Sequence, residues 1–126
     1  MSDWMITVRP PFSRWLVEGI KTMEIRTRIP NELDINDYVY VVEAASGGKV
    51  IGRFIVKKII IAHPRFIAKP YYEQHRVPYE MFVNYVGKRD EICAIGLELS
   101  CVLNSMATVK DYGLSRAPKW FTKISD

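Results

Sequence analysis

The chain has 126 residues, 18 of them lysine or arginine and 14 aspartate or glutamate, for a net charge of +4 and a sequence pI near 9.1. That length suffices for one domain with one core and is too short for two, and 48% hydrophobic with 25% charged residues is an ordinary globular composition, not that of a disordered or fibrous chain. The mild basic excess is compatible with a polyanionic partner, and no apolar run approaches the length of a membrane span.

Asp3 and Trp4 interrupt the N-terminus and no apolar leader stretch follows, so no signal peptide is expected. Trp4 to Val8 predicts a short first strand. Pro10 and Pro11 are tolerated at the first turn of a helix but not inside one. Phe12, Trp15 and Leu16 then recur at i, i+3 and i+4, which predicts a helix over 10–18 with one apolar face. Gly19 supplies a left-handed stop, with Ile20 folding back onto Trp15 in the Schellman pattern. Lys21 sits at the turn into a strand over 22–28. At strand period, Met23 and Ile25 face a core while Thr22, Glu24, Arg26 and Arg28 face the other way. A cation, a hydroxyl, a carboxylate and a guanidinium thus converge beside a helix C-terminus. Two readings stand side by side: a binding or catalytic site, or an exposed strand face whose charges pair across solvent.

Residues 30–37 form a turn-rich polar loop. Tyr38 to Ala44 is apolar on both faces apart from Glu43, as in a buried strand. Ser46-Gly47-Gly48-Lys49 is a hairpin turn, and Val50 to Ala62 a long strand in which Gly52 marks a bulge or a close backbone approach. The connection from His63 to Val77 mixes basic and aromatic side chains. Tyr71, Tyr72 and Tyr79 are its candidates for stacking on bases and Arg65, Lys69, His75 and Arg76 its candidates for contacting phosphates, against packing of the loop by its own tyrosines. A short helix over 79–86 is expected to turn Met81, Phe82 and Tyr85 inward and to stop at Gly87. A long strand over 91–103 has Cys93, Ile95, Leu97, Leu99, Cys101 and Leu103 on one face. Eight residues apart in one strand, the two cysteines are about 26 Å apart and cannot pair. Both read as buried free thiols, which fits a reducing cytoplasm. Val109 to Tyr112 is a further short helix before Gly113. The tail carries Arg116, Pro118, Lys119, Trp120 and Phe121.

Pro10-Pro11-Phe12, then Gly19-Ile20-Lys21-Thr22-Met23-Glu24-Ile25-Arg26, resembles the signature of the ASCH domain, a member of the PUA-like superfamily. The late Arg116, Pro118 and Trp120 are similar to that family's C-terminal pattern. Five strands with short helices in this order suggest a small closed or nearly closed mixed β-barrel. The resemblance implies the same α+β fold, a small mixed β-barrel of about five to six strands with short flanking helices, spanning 1–126 as one domain. It also implies a cleft that binds RNA, a nucleotide or a nucleobase, lined by Lys21, Thr22, Glu24 and Arg26, with Phe12, Arg116 and Trp120 beside them. No metal, cofactor or membrane is expected, and RNA or a modified nucleoside is the expected partner.

Family members that hydrolyse N4-acetylcytidine pair a lysine with a threonine three residues later and a distal glutamate. Lys21 matches, but the threonine position is Glu24, and a carboxylate cannot replace a hydroxyl that must be acylated. Glu73 and Glu80 are the candidates for the distal acid. A ribonuclease with Glu24 as base stays open, as does a protein–protein adaptor with no nucleotide at all. Two histidines without Cys or His partners at ligand spacing make no metal site. If Glu24 faces a ligand, Glu24→Gln is expected to leave stability nearly unchanged and to weaken binding by about 1–3 kcal/mol.

Overall fold

Phe12, Ser13 and Leu16 are the buried side of the first helix, α1 (Phe12–Glu18), in a computed structural model that describes residues 1–103 and 106–125. Gly19 ends α1 at φ 78°, and the Ile20 and Lys21 amides both donate to the Trp15 carbonyl. The Schellman backbone is therefore present, although the Ile20 side chain stays largely in solvent. Around α1 run β1 (Asp3–Val8), β2 (Met23–Arg26), β3 (Tyr38–Glu43), β4 (Val50–Ala62), β5 (Ile92–Val102) and β6 (Thr122–Ser125). They form one sheet in the order β2-β5-β4-β3-β1-β6, antiparallel throughout except for the parallel β1–β3 pair. Strand β6, four residues long, lies in the tail that sequence periodicity leaves unassigned.

The sheet is not closed into the expected barrel. Residues of β1, β3, β4 and β5 pool with Phe12 and Leu16 of α1 into one apolar cluster, so the sheet curls around the helix. Bulges in β3–β4 and at two places in β4–β5 help it bend. Gly52 lies in the first of these regions, where a Cβ would meet the Phe54 ring at 3.0 Å. Closure stops one step short: β2 at one end and β1 with β6 at the other face each other across a seam with no ladder. Side chains span it instead. Arg26 Nη2 donates to the Thr7 carbonyl at 2.9 Å, and the Trp120 indole N–H donates to the Arg28 carbonyl at 3.1 Å.

The strand phase of β2 is as predicted, but its two faces are both covered. Met23 and Ile25 stand opposite Gly96 and Ala94 of β5 and share their face. They bury against Ile67, Phe82, Val86 and Ile92, a second core outside the curl. Helices α2 (Tyr72–His75) and α3 (Tyr79–Val86) belong to that core's cover, together with a 3-10 turn at Pro64–Phe66. The connection read from sequence as a loop is thus partly helical. Glu24 stands opposite Ile95, on the α1 side of the sheet. Alternation marks it as polar, and tertiary structure then encloses it.

Three further expectations are corrected. On α3 the buried pair is Phe82 and Val86, one turn apart, whereas Met81 and Tyr85 are exposed on the adjoining strip. Cys101 is exposed, because β2 flanks β5 only along Cys93–Gly96 and everything beyond Leu97 lies on an open edge. Leu99 is exposed for the same reason. Cys93 is buried and both thiols are free. No described helix is long and apolar enough to cross a membrane.

Candidate functional site

The seam between β1 and β2 opens into a cleft of about 630 Å³, walled by Phe12, Val77, Met81 and Tyr85 and floored by Lys21, Glu24 and Arg26. Two chain features put the floor together. The Gly19 stop throws Lys21 back under α1, and the pleat of β2 points Glu24 and Arg26 to the same side. Lys21 and Glu24 lie on opposite pleat positions, yet the lysine stem curls round the strand end and they meet, with Nζ 3.4 Å from Glu24 Oε1.

Glu24 is the centre of the floor. Its Oε2 receives Arg26 Nη2 at 2.7 Å and Nε at 2.9 Å, while Oε1 faces Lys21. Lys21 is 1% exposed and donates its shortest bond, 2.7 Å, to the His75 carbonyl. Burial alone pushes the Glu24 carboxyl upward, but Arg26 and Lys21 together outweigh it and hold the group below its ordinary value, so it is ionised. Burial lowers Lys21, and the Glu24 carboxylate only partly restores it. Two cations and one anion leave the floor with one net positive charge. This geometry argues against the expectation that Glu24→Gln would spare stability: at 7% exposure Glu24 is the single anion between buried Lys21 and part-buried Arg26.

His75 is a part of the site that the sequence reading left as a loop residue contacting phosphate. It is fully buried, its ring stacked on Phe82 with centroids 5.3 Å apart. Nδ1 accepts from the Val77 amide at 2.9 Å, which places the ring proton on Nε2, the donor to the Ala68 carbonyl at 2.8 Å. The segment that carries the Lys21 acceptor and the Val77 wall is therefore pinned by a neutral imidazole. The available sequence signal was weak: a lone histidine beside aromatics.

Other predicted residues lie elsewhere. Thr22 precedes the strand, is exposed, and lines a separate hollow of about 350 Å³ with Tyr71, Lys57 and Lys58. Its amide and carbonyl are used in pairing with Gln74 and Leu97. Arg65 borders another hollow, with Phe82 and Val86. Tyr72 packs edge-on against His75, and Arg76 Nε donates to the Glu73 carbonyl. Trp120 is exposed and lines a separate hollow with Arg28 and Phe121, and Arg116 lies near the Gly47–Gly48 turn. Glu73 and Glu80, candidates for a distal acid, do not line the cleft. Among the described residues no group of three or more His, Cys, Asp or Glu side chains converges as a metal site. The nearest analogue of the floor elsewhere is Glu43, which takes Ser13 and Arg14 at 2.8–3.0 Å and fixes α1 to β3.

Acid should unlatch this arrangement. Burial pushes the His75 imidazole below its ordinary 6.5; the Ala68 carbonyl opposes that shift and the Lys21 charge adds to it. The unfolded chain therefore takes up a proton at His75 before the folded protein does, and stability falls as pH drops below 6.5 toward the folded-state value. Glu24, held below its ordinary 4.5, adds a further loss at lower pH in the same direction. Urea midpoints should fall on acidification from neutrality, and His75→Gln should flatten the upper part of that fall. A midpoint that climbs on acidification through this range would contradict the assignment.

The architecture is α+β, a mixed, incompletely closed sheet curled on one helix with a charge cluster at its seam, and the family it falls in is PUA-like. The chain belongs to the ASCH domain family, whose family model matches residues 6–100. Among solved structures it is similar to ASCH from Zymomonas mobilis at a TM-score of 0.83 and 19% identity, over 97% of this chain and 87% of that one. A tyrosine-to-phenylalanine variant of the same protein matches at 0.83 over 98% and 90%. The hypothetical protein PH0355 is similar at 0.58 and 14% identity, over 78% of this chain and 99% of that one. At these identities the likeness is one of fold. No curated protein matches the chain.

Proposed function

We propose that this domain binds a nucleobase or nucleotide, carried within RNA, in the β1–β2 cleft. The observation that carries the reading is the buried Lys21–Glu24–Arg26 chain at the floor of an aromatic and apolar cleft. Phe12 and Tyr85 both line the cleft and offer aromatic surface to a flat heterocycle, whose polar edges need buried, preorganised partners. Glu24 Oε1 is the less committed carboxylate oxygen, since its Lys21 contact is 3.4 Å against 2.7 Å to Arg26 at Oε2. It accepts from an exocyclic amine or ring N–H. Arg26, fixed to both Glu24 and the Thr7 carbonyl, holds that carboxylate in place.

The hydrolase reading is less well supported by the same geometry. Thr22 is outside the cleft, and the hydroxyl of Thr7, which does line it, is turned to the Pro118 carbonyl at 2.7 Å. Lys21 has no free serine or threonine hydroxyl to activate among the described cleft residues, and its ammonium donates to the His75 carbonyl and faces the Glu24 carboxylate. Binding is tested by titrating a short single-stranded RNA at increasing salt. Affinity should fall linearly on logarithmic axes, with a slope set by the few phosphates contacted. Salt-independent binding would remove phosphates from the account, and no binding at any salt would favour the adaptor reading. Release of acetate from N4-acetylcytidine, or metal-free cleavage of the RNA, would make the domain an enzyme.

A further inference from the structure

We infer that Arg9 reads a phosphate at the mouth of this cleft, so that the ligand is a phosphorylated nucleoside unit and not a bare base; this rests on the nucleotide reading above. Three cations line the cleft, Arg9, Lys21 and Arg26, against the one carboxylate of Glu24. Lys21 and Arg26 are committed to Glu24 and to backbone carbonyls. Arg9 is not: among the described residues it forms no ion pair with a carboxylate.

Its guanidinium is nevertheless positioned. Nη2 lies 3.0 Å from Met81 Sδ, and Cζ lies 5.8 Å from the centroid of the Phe12 ring. A thioether is a weak acceptor, so the five N–H donors of this fork are poorly used. Stacking on an aromatic face costs little of that donor capacity and restricts the side chain before any ligand arrives. Phe12 also has the Lys21 ammonium 5.3 Å from its centroid, so one ring connects the cation of the floor to the exposed cation of the mouth. A base seated on Glu24 directs its sugar outward, toward the place where Arg9 stands. A phosphate there takes a planar, bidentate pair, the geometry in which arginine exceeds lysine.

The test is calorimetric titration of the four ribonucleosides, their 5′- and 3′-monophosphates, inorganic phosphate and a short single-stranded RNA, against wild type, Arg9→Met and Arg9→Lys. Arg9→Met keeps the apolar stem against Phe12 and Met81 at an exposed position, so the melting temperature should hold. In wild type, a monophosphate should bind about tenfold or more tightly than its nucleoside. Arg9→Met should erase that advantage while leaving the nucleoside's affinity in place, and Arg9→Lys should recover part of it. With the advantage lost in Arg9→Met, an RNA that outbinds every mononucleotide identifies the phosphate as that of a strand and a mononucleotide that equals the RNA identifies a free nucleotide, and either result supports Arg9. Nucleoside binding with no phosphate advantage, or an advantage that survives Arg9→Met, overturns the assignment alone. Failure of every nucleoside, nucleotide and RNA to bind overturns it together with the proposed function.

Discussion

Met23→Asp is expected to abolish the folded state. Met23 is 3% exposed, lies opposite Gly96 on β5, and packs among Ile25, Ile67, Phe82 and Val86. A carboxylate there has an apolar surround, and an unpaired buried charge costs several kcal/mol even after relaxation. Whole domains of this size are stable by only about 5–15 kcal/mol. The strand cannot escape by slipping one residue, because that would turn Glu24 and Arg26 into the second core and Met23 toward α1. Met23→Leu, which nearly conserves volume, should cost less than about 1.5 kcal/mol. Circular dichroism and size-exclusion chromatography decide the matter: a folded, monodisperse Met23→Asp protein would mean that the phase of β2 is wrong.

Glu24→Gln should be the most damaging conservative change at the site, costing roughly 3–5 kcal/mol. The shape is kept, but Lys21 and Arg26 are left to repel each other with no anion between them. At this chain length such a loss lowers the melting temperature by roughly 10–20 °C. Lys21 offers partial relief, since burial already lowers its pKa and it can shed its proton. The defect of Glu24→Gln should therefore be smaller at alkaline pH than at neutrality. Lys21→Met makes the contrast. It removes a desolvated ammonium and keeps the Glu24–Arg26 pair, leaving the His75 carbonyl without its donor and Glu24 Oε1 without its cation, for about 1–3 kcal/mol. Chemical denaturation should rank Glu24→Gln well above Lys21→Met; the reverse order would show that the cluster is not centred on the carboxylate.

Much of the architecture is local and was readable along the chain. Helix α1 follows from Phe12 and Leu16 at helical spacing and from Gly19, the residue that adopts φ 78° without strain. The phase of β2 follows from Met23 and Ile25 at period two, and the β3–β4 hairpin from Gly47 and Gly48, both at positive φ. Each of these depends on residues a few positions apart, which is the range over which periodicity and turn chemistry act. The Lys21, Glu24 and Arg26 cluster was legible for the same reason.

Alternation, however, states only that a face is polar, not what will cover it. Glu24 is buried because β2 pairs with β5, some 70 residues away in the chain (Glu24 with Ile95), and so turns that face toward α1. His75 is a pin, not a phosphate contact, because its loop folds under α3 onto Phe82. Cys101 is exposed because β2 is too short to flank the second half of β5. Trp120 joins the seam while Arg116 falls away from it, although four residues separate them, because the β6 pairing with β1 fixes only the end of the tail. Above all, the barrel stays open. Ladder closure needs two edges of matching length and register, and among the described residues β2 and β1 form no ladder, the Arg26 side chain reaching across to the Thr7 carbonyl instead. That mismatch between distant strands leaves the gap in which the candidate site lies, and no local pattern in the sequence records it.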